Sequence, residues 1–412
     1  VHIPTENAQA DGPHRHAADF EQLDEVSRQS SPERVLEQAL SALRERGDYH
    51  QVFDAQLLCR KAALGLPLTR PTSFEDVPPE LRKPVEETYV AAAREVGALF
   101  LRRGDIPSAW MYYQVIREPA PVAEAIARVP VTQPPDNRLD EILRIALFER
   151  VHPEHGIRLS LEHHGTCSTI TALEQVMPAL ATRERHACAA QMVQWLHEEL
   201  RESVLRHVRQ KVPLIDAATP LDELLVGRDW LFEGGNYHVD VSHLAAVVRF
   251  ARSLEEPCPE LELASQMCDY GSQLEAMLQF PGDPPFEEFY PAHGHYLSIV
   301  SGRGRAEGLN YFRRKLAQEP DEADRALPAL VLVDLLMRAD LLDEAVDVAA
   351  RHLTRLGSDI GFSFAELCDK AGRYDRLLEV QREQDQLLGY AAALVMQSRG
   401  AGPTGSHAVA TD

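Results

Sequence analysis

The sequence predicts an all-α fold, an α-solenoid of antiparallel helix hairpins with a divergent central helical region. Three observations carry this. Helix-start signals recur along the chain, convincing runs of alternating β-branched residues are absent, and short helical segments come in pairs joined by turns that look alike. With 412 residues and 44% hydrophobic content, the chain is long enough to bury a core, so it is not a disordered protein.

Residues 1–31 are polar and aperiodic, hold Gly12 and Pro13, and read as a flexible N-terminal arm. Ser31-Pro32-Glu33 then starts a helix, with a hydroxyl N-cap, proline at the first helical position and an acid beside the positive helix end. Residues 32–130 read as N-terminal helical repeats and residues 131–300 as a His-rich central helical region. C-terminal repeats follow over 301–398, and a flexible tail over 399–412. Pro-rich segments near 66–80, 129–137 and 280–291 interrupt helices and read as connections. Thr219-Pro220-Leu221-Asp222 repeats the helix-start logic. The run from Thr182 to Val212 places Met192, Val193, Leu196, Leu200, Val204 and Val208 at three- and four-residue steps, which predicts one long helix burying one face.

Around Gly104 the chain reads REVGALFLRRGDIPSAWMYYQVIREPAP. A small residue at Gly97 lets two helices approach, and Gly104-Asp105 makes a tight turn. Ala109 packs against the first helix, Tyr112 and Tyr113 fill the groove to the next pair, and Pro121 ends the unit. At Gly97, Gly104, Ala109, Tyr113 and Pro121 this segment resembles a tetratricopeptide repeat. Echoes with the same turn spacing stand at Gly47-Asp48-Tyr49 with Val52, Gly304 with Leu309, Asp340 with Ala345, and Gly372-Arg373-Tyr374 with Leu377. The resemblance covers a third to a half of the chain, mainly 33–121 and 300–390. It implies a tetratricopeptide-like superhelix whose groove binds a protein or peptide.

The balance of 42 Lys plus Arg against 64 Asp plus Glu gives a net charge of −22. Phosphate contacts need a concentrated basic surface, so the expectation is no nucleic-acid partner and no anionic membrane. No apolar run reaches membrane-spanning length, and the opening VHIPTENAQADGPHRH holds no apolar signal region. Six cysteines lie without a paired-cysteine motif and read as reduced, mostly buried thiols. Together these features suggest a cytoplasmic protein, and the leading Val fits the alternative start codon of a bacterial gene.

Chemistry is sought where the repeat pattern lapses. Eleven of the 17 histidines fall between His152 and His295. Clusters form at His163-His164 with Cys167, at His238-Val239-Asp240 with His243, and at His293 with His295. Imidazole with carboxylate suits a divalent ion such as zinc, iron or manganese. His164, His238, His243 and His293 are the candidate ligands, with Asp240 as ligand or orienter. At about 100° per residue, His238 and His243 share a face only if a helix starts between them. Asp240 then becomes the N-cap of VSHLAAVVRFARSL. His293 and His295 diverge in the same way. No HExxH motif and no second Glu-x-x-His beside Glu149–His152 supports a known metal spacing, so no cofactor is assigned from motifs.

Trp230, Asn236 and Tyr237 are candidates to wall a binding pocket, the bland alternative being ordinary core aromatics. Cys167 as a nucleophile, and Arg303, Arg305, Arg313, Arg314 and Lys315 as an anion clamp, weigh less than an inert thiol and a solvated helix face. Two functions remain. One is an interaction scaffold whose partner carries basic segments, and the other is a metal-dependent hydrolase or lyase built on the central histidines.

Overall fold

A computed structural model describes residues 16–132, 134, 137–322, 324–354 and 362–400. Among the described residues the chain is all-α, with no strand and no helix long and apolar enough to cross a membrane. It divides into two compact units, residues 1–180 and 181–412.

The first unit contains α1 (Ala17–Gln29), α2 (Pro32–Arg46), α3 (Tyr49–Ala63), α4 (Pro79–Arg102), α5 (Ile106–Tyr113), α6 (Ala120–Ala127), α7 (Leu139–Leu143) and α8 (Pro153–Val176). The expected arm over 1–31 is corrected in its second half, since α1 occupies Ala17–Gln29; residues 1–15 lie outside the described residues. Arg46 of α2 donates to both oxygens of Asp19, and His16 approaches Asp19 at 3.0 Å. α1 therefore sits on α2 through charged contacts, which apolar periodicity does not register.

Each helix of this unit from α1 to α5 packs on the next in sequence. The notch at Gly97 explains the closeness of α4 and α5, because a Cβ there would lie 2.6 Å from the Tyr113 ring. Val52, Phe53, Leu57, Val85, Ala92 and Val96 fill the core between α3 and α4. Lys61, only 2% exposed, donates to the carbonyls of Arg70 (2.5 Å) and Ser73 (2.8 Å), fastening the Pro-rich connection to α3. α8 breaks at Gly165, whose φ of 77° and ψ of 176° are not helical.

One turn recurs. The helix ends in a left-handed residue whose N–H bonds three residues back, and the next N–H bonds five residues back. This pair of bonds occurs at Gly47/Asp48, Gly104/Asp105, Asp340/Leu341, Gly372/Arg373 and Asp385/Gln386, where the following helix begins at the very next residue; the same bonds at Gly65/Leu66 and Arg117/Glu118 lead into connections instead. Four of the first five are the turns the repeat spacing singles out. Glycine adopts φ of 73° at Gly47 and Gly104 without strain, and Asp tolerates it at Asp340 and Asp385.

The second unit opens with α9 (Thr182–Lys211), the long helix expected there, which buries Met192, Val193, Leu196, Leu200, Val204 and Val208. It continues with α10 (Leu221–Leu225), α11 (Val241–Phe250), α12 (Glu260–Ser272), α13 (Phe289–Val300), α14 (Arg305–Gln318), α15 (Ala326–Arg338), α16 (Leu342–His352), α17 (Phe364–Ala371), α18 (Tyr374–Glu383) and α19 (Leu387–Gly400). α9 packs against α11 and α12, and from α12 to α19 each helix packs on its sequence neighbour. The expected tail over 399–412 lies outside the described residues from 401 onward.

Candidate functional site

Three segments of the second unit meet at one polar cluster. α9 presents His207 and Lys211 four residues apart, hence on one face. The connection between α10 and α11 supplies Trp230, Asn236 and His238. It folds back over two consecutive left-handed glycines, Gly234 and Gly235, and the Gly235 N–H donates to Glu275 at 2.8 Å. α12 supplies Tyr270, whose side chain is fully buried.

Hydrogen bonds join these groups in a chain. Asn236 Nδ2 donates to the Leu231 carbonyl at 2.7 Å, which pins the amide, and the same nitrogen lies 3.3 Å from His207 Nδ1. His207 Nδ1 and His238 Nε2 are hydrogen-bonded at 3.0 Å, the donor being set by the ring tautomers. His238 Nδ1 is hydrogen-bonded to the Tyr270 hydroxyl at 2.9 Å. The same oxygen accepts from the His238 backbone N–H at 2.9 Å. The result is a continuous chain, Tyr270 to His238 to His207.

Burial, with the nearby His207 adding to it, pulls His238 down to about 4, so its ring is neutral at pH 7. Burial also raises the Tyr270 hydroxyl, partly offset by the His238 N–H. At the outer end the His207 ring meets Trp230 edge-on at 5.1 Å, and Lys211 Nζ stands 3.8 Å over the Trp230 ring.

Of the expected residues, the structure brings Trp230, Asn236 and His238 together. Tyr237 is 52% exposed. Asp240 is the N-cap of α11, as the spacing predicts. Its Oδ1 accepts from the Ser242 N–H (2.8 Å), the Ser242 hydroxyl (2.5 Å) and the His243 N–H (3.3 Å), and these bonds, the hydroxyl's above all, lower its carboxyl. His243 stands half-buried in the first turn of α11. His164 belongs to the first unit, exposed, with Nε2 3.2 Å from Asp140.

His293 is 1% exposed on α13, between the rings of Phe286 and Phe289 at 4.5 and 4.3 Å. Its Nδ1–H donates to the Phe289 carbonyl at 2.7 Å, and its Nε2 is buried without a hydrogen-bond partner. Among the described residues no group of three or more His, Cys, Asp or Glu side chains is arranged to hold a metal ion.

Four of the five basic residues near α14 are matched by acids, while Arg314 donates to the Asn310 carbonyl at 3.4 Å. Arg313 grips Glu344 with two bonds of 2.7 Å, Lys315 faces Glu287 at 3.2 Å, Arg305 faces Glu256 at 3.8 Å, and Arg303 pairs with Glu262. No disulfide joins any of the six cysteines, of which Cys188, Cys268 and Cys368 are buried and Cys167 is exposed. Cys258 donates to Glu260 at 2.7 Å, and burial together with that carboxylate pushes its thiol up to about 11, away from thiolate chemistry.

Sequence reasoning misses His207, Lys211 and Tyr270. His207 precedes the buried Val208 and shares a face with Lys211, a signal that marks the rim of an apolar stripe and nothing more. Tyr270 follows Met267 by three residues and reads as core.

A second feature lies in the first unit. A cleft of about 490 Å³ runs between α4, α5 and α6, floored by Leu101, Ile106, Tyr113 and Val129 and rimmed by Arg102 and Arg128. No protein-family model matches the chain, and no curated protein or solved structure matches it.

Proposed function

We propose that the chain is an interaction scaffold of tetratricopeptide-like helix hairpins, stacked as an α-solenoid, that binds a peptide or partner helix. The observation that carries the reading is the one turn repeated at Gly47, Gly104, Asp340, Gly372 and Asp385, each delivering the next helix at constant spacing onto its neighbour. The apolar-floored cleft beside α4–α6 is a groove for two or three apolar anchors of a partner segment. A net charge of −22 favours partners with basic segments at long range and makes the association rate salt-dependent.

Selection of a displayed peptide library on the purified protein tests this. Enriched peptides should share apolar anchors and lose binding to an Ala125→Glu variant, since Ala125 lines the cleft. Failure to enrich any sequence, or binding indifferent to Ala125→Glu, counts against the cleft.

The metal-dependent hydrolase or lyase stands second. His207 Nδ1 and both ring nitrogens of His238 are engaged in internal hydrogen bonds, and Asp240 caps its own helix, so an ion would have to displace existing partners. One equivalent of metal in the purified protein, lost in His238→Ala, would reverse this order.

A further inference from the structure

The last described helix leaves an apolar stripe uncovered. α19 buries Ala393 against the unit, while Leu387, Leu388, Leu394 and Val395 are 82%, 85%, 45% and 49% exposed. At 100° per residue Leu387, Leu388, Ala391 and Val395 fall on one face, with Ala392 at its edge. No charged residue occurs from Leu387 to Ser398.

We infer that this stripe is a self-association surface on which a second copy of the chain packs its own α19 in antiparallel orientation about a two-fold axis. Three features select a second copy over other occupants. The first is charge: two molecules of net charge −22 repel at most faces, and this uncharged stripe brings no acids together.

The second is self-complementarity. An axis passing between Ala391 and Ala392 places Leu388 of each copy against Val395 of the other, bulky ends meeting bulky ends over a small-residue centre that lets the backbones approach. It also carries Arg399 of each copy to the turn holding Glu383 and Asp385 of the other, both of which are exposed. The third is area. The exposures amount to roughly 500 Å² per copy, so at most about 1,000 Å² in total from these side chains, the lower limit of a specific interface and the size of a reversible rather than obligate dimer.

Sedimentation velocity of the full chain across roughly 1–100 μM tests the inference, the upper range set by an association at the weak end of the size scale. The wild type should shift from monomer towards twice the monomer mass. Leu388→Glu should remain monomeric with unchanged far-UV circular dichroism, since an 85% exposed side chain contributes little to the monomer fold. Joining Leu388→Glu with Val395→Lys in one chain should restore the dimer, because the antiparallel axis sets each new acid beside the other copy's new base.

A wild type that stays monomeric at 100 μM overturns the inference. So does a dimer indifferent to Leu388→Glu, which would place the contact elsewhere. A double variant that stays monomeric overturns the antiparallel packing.

Discussion

His293 offers a sharp test of the packing around α13, because its ring is enclosed by Phe286 and Phe289 with Nε2 unpartnered. Burial, reinforced by Arg252 and Arg249 and opposed by the Phe289 carbonyl, holds the imidazole at about 4 against an ordinary 6.5. The folded state thus resists a proton that the unfolded chain accepts. The stability is present in full above pH 6.5 and is lost as pH falls towards 4. With these two values the loss is about 2 kcal/mol between pH 7 and pH 5, and about 3 kcal/mol by pH 4.

Replacing His293 by Leu removes the titrating group and the unpartnered nitrogen at nearly constant volume, so at pH 7 the variant should lie within about 1 kcal/mol of wild type. Urea unfolding at pH 7 and pH 5 reads the difference, followed by Trp195 and Trp230 fluorescence in a Trp110→Phe background. The stability of His293→Leu relative to wild type should rise by about 2 kcal/mol at the lower pH. Other histidines held low by burial, His238 among them, contribute equally to both proteins and cancel. Parallel pH dependence in the two proteins would refute the enclosure of His293.

Tyr270→Phe leaves the His238 N–H and Nδ1 without their partner. It should cost about 1–3 kcal/mol in urea unfolding of the second unit, and a loss below 0.5 would sink the hydrogen-bond chain; these magnitudes are about those of a buried polar group left unpaired. Gly97→Ala ordinarily strengthens a helix by about 1 kcal/mol, yet here the new methyl would meet the Tyr113 ring. The first unit should instead lose about 1–3 kcal/mol, recovered in part by Tyr113→Leu, and a stabilised variant would show that α4 and α5 are not in close contact.

Local signals in the sequence were legible and long-range ones were not. Helix α9 follows from the apolar spacing through Met192, Leu196 and Leu200, and the Asp240 cap follows from a carboxylate placed before an apolar run. The turns at Gly47 and Gly104 follow from glycine's freedom at positive φ. The histidine chain is different. His207 and His238 are 31 residues apart and Tyr270 another 32 beyond, so no periodicity links them. Clustering in sequence drew attention to His164 and His293, which lie in different units. α1 was hidden because its attachment is the Asp19–Arg46 ion pair rather than an apolar stripe.

The neighbour-on-neighbour packing of the first helices also bears on how the chain reaches its native state. Partners one helix away make contacts local in sequence, the longest connection among them being residues 64–78, and low contact order of this kind goes with rapid folding. During synthesis α2 through α5 can settle one upon another as each emerges. α9 must wait for α11 and α12, whose first residues come roughly 30 and 50 positions after its own last. Pulse-labelled hydrogen exchange during refolding should find α2–α5 protected before α9, and the reverse order would show that the long helix nucleates on its own.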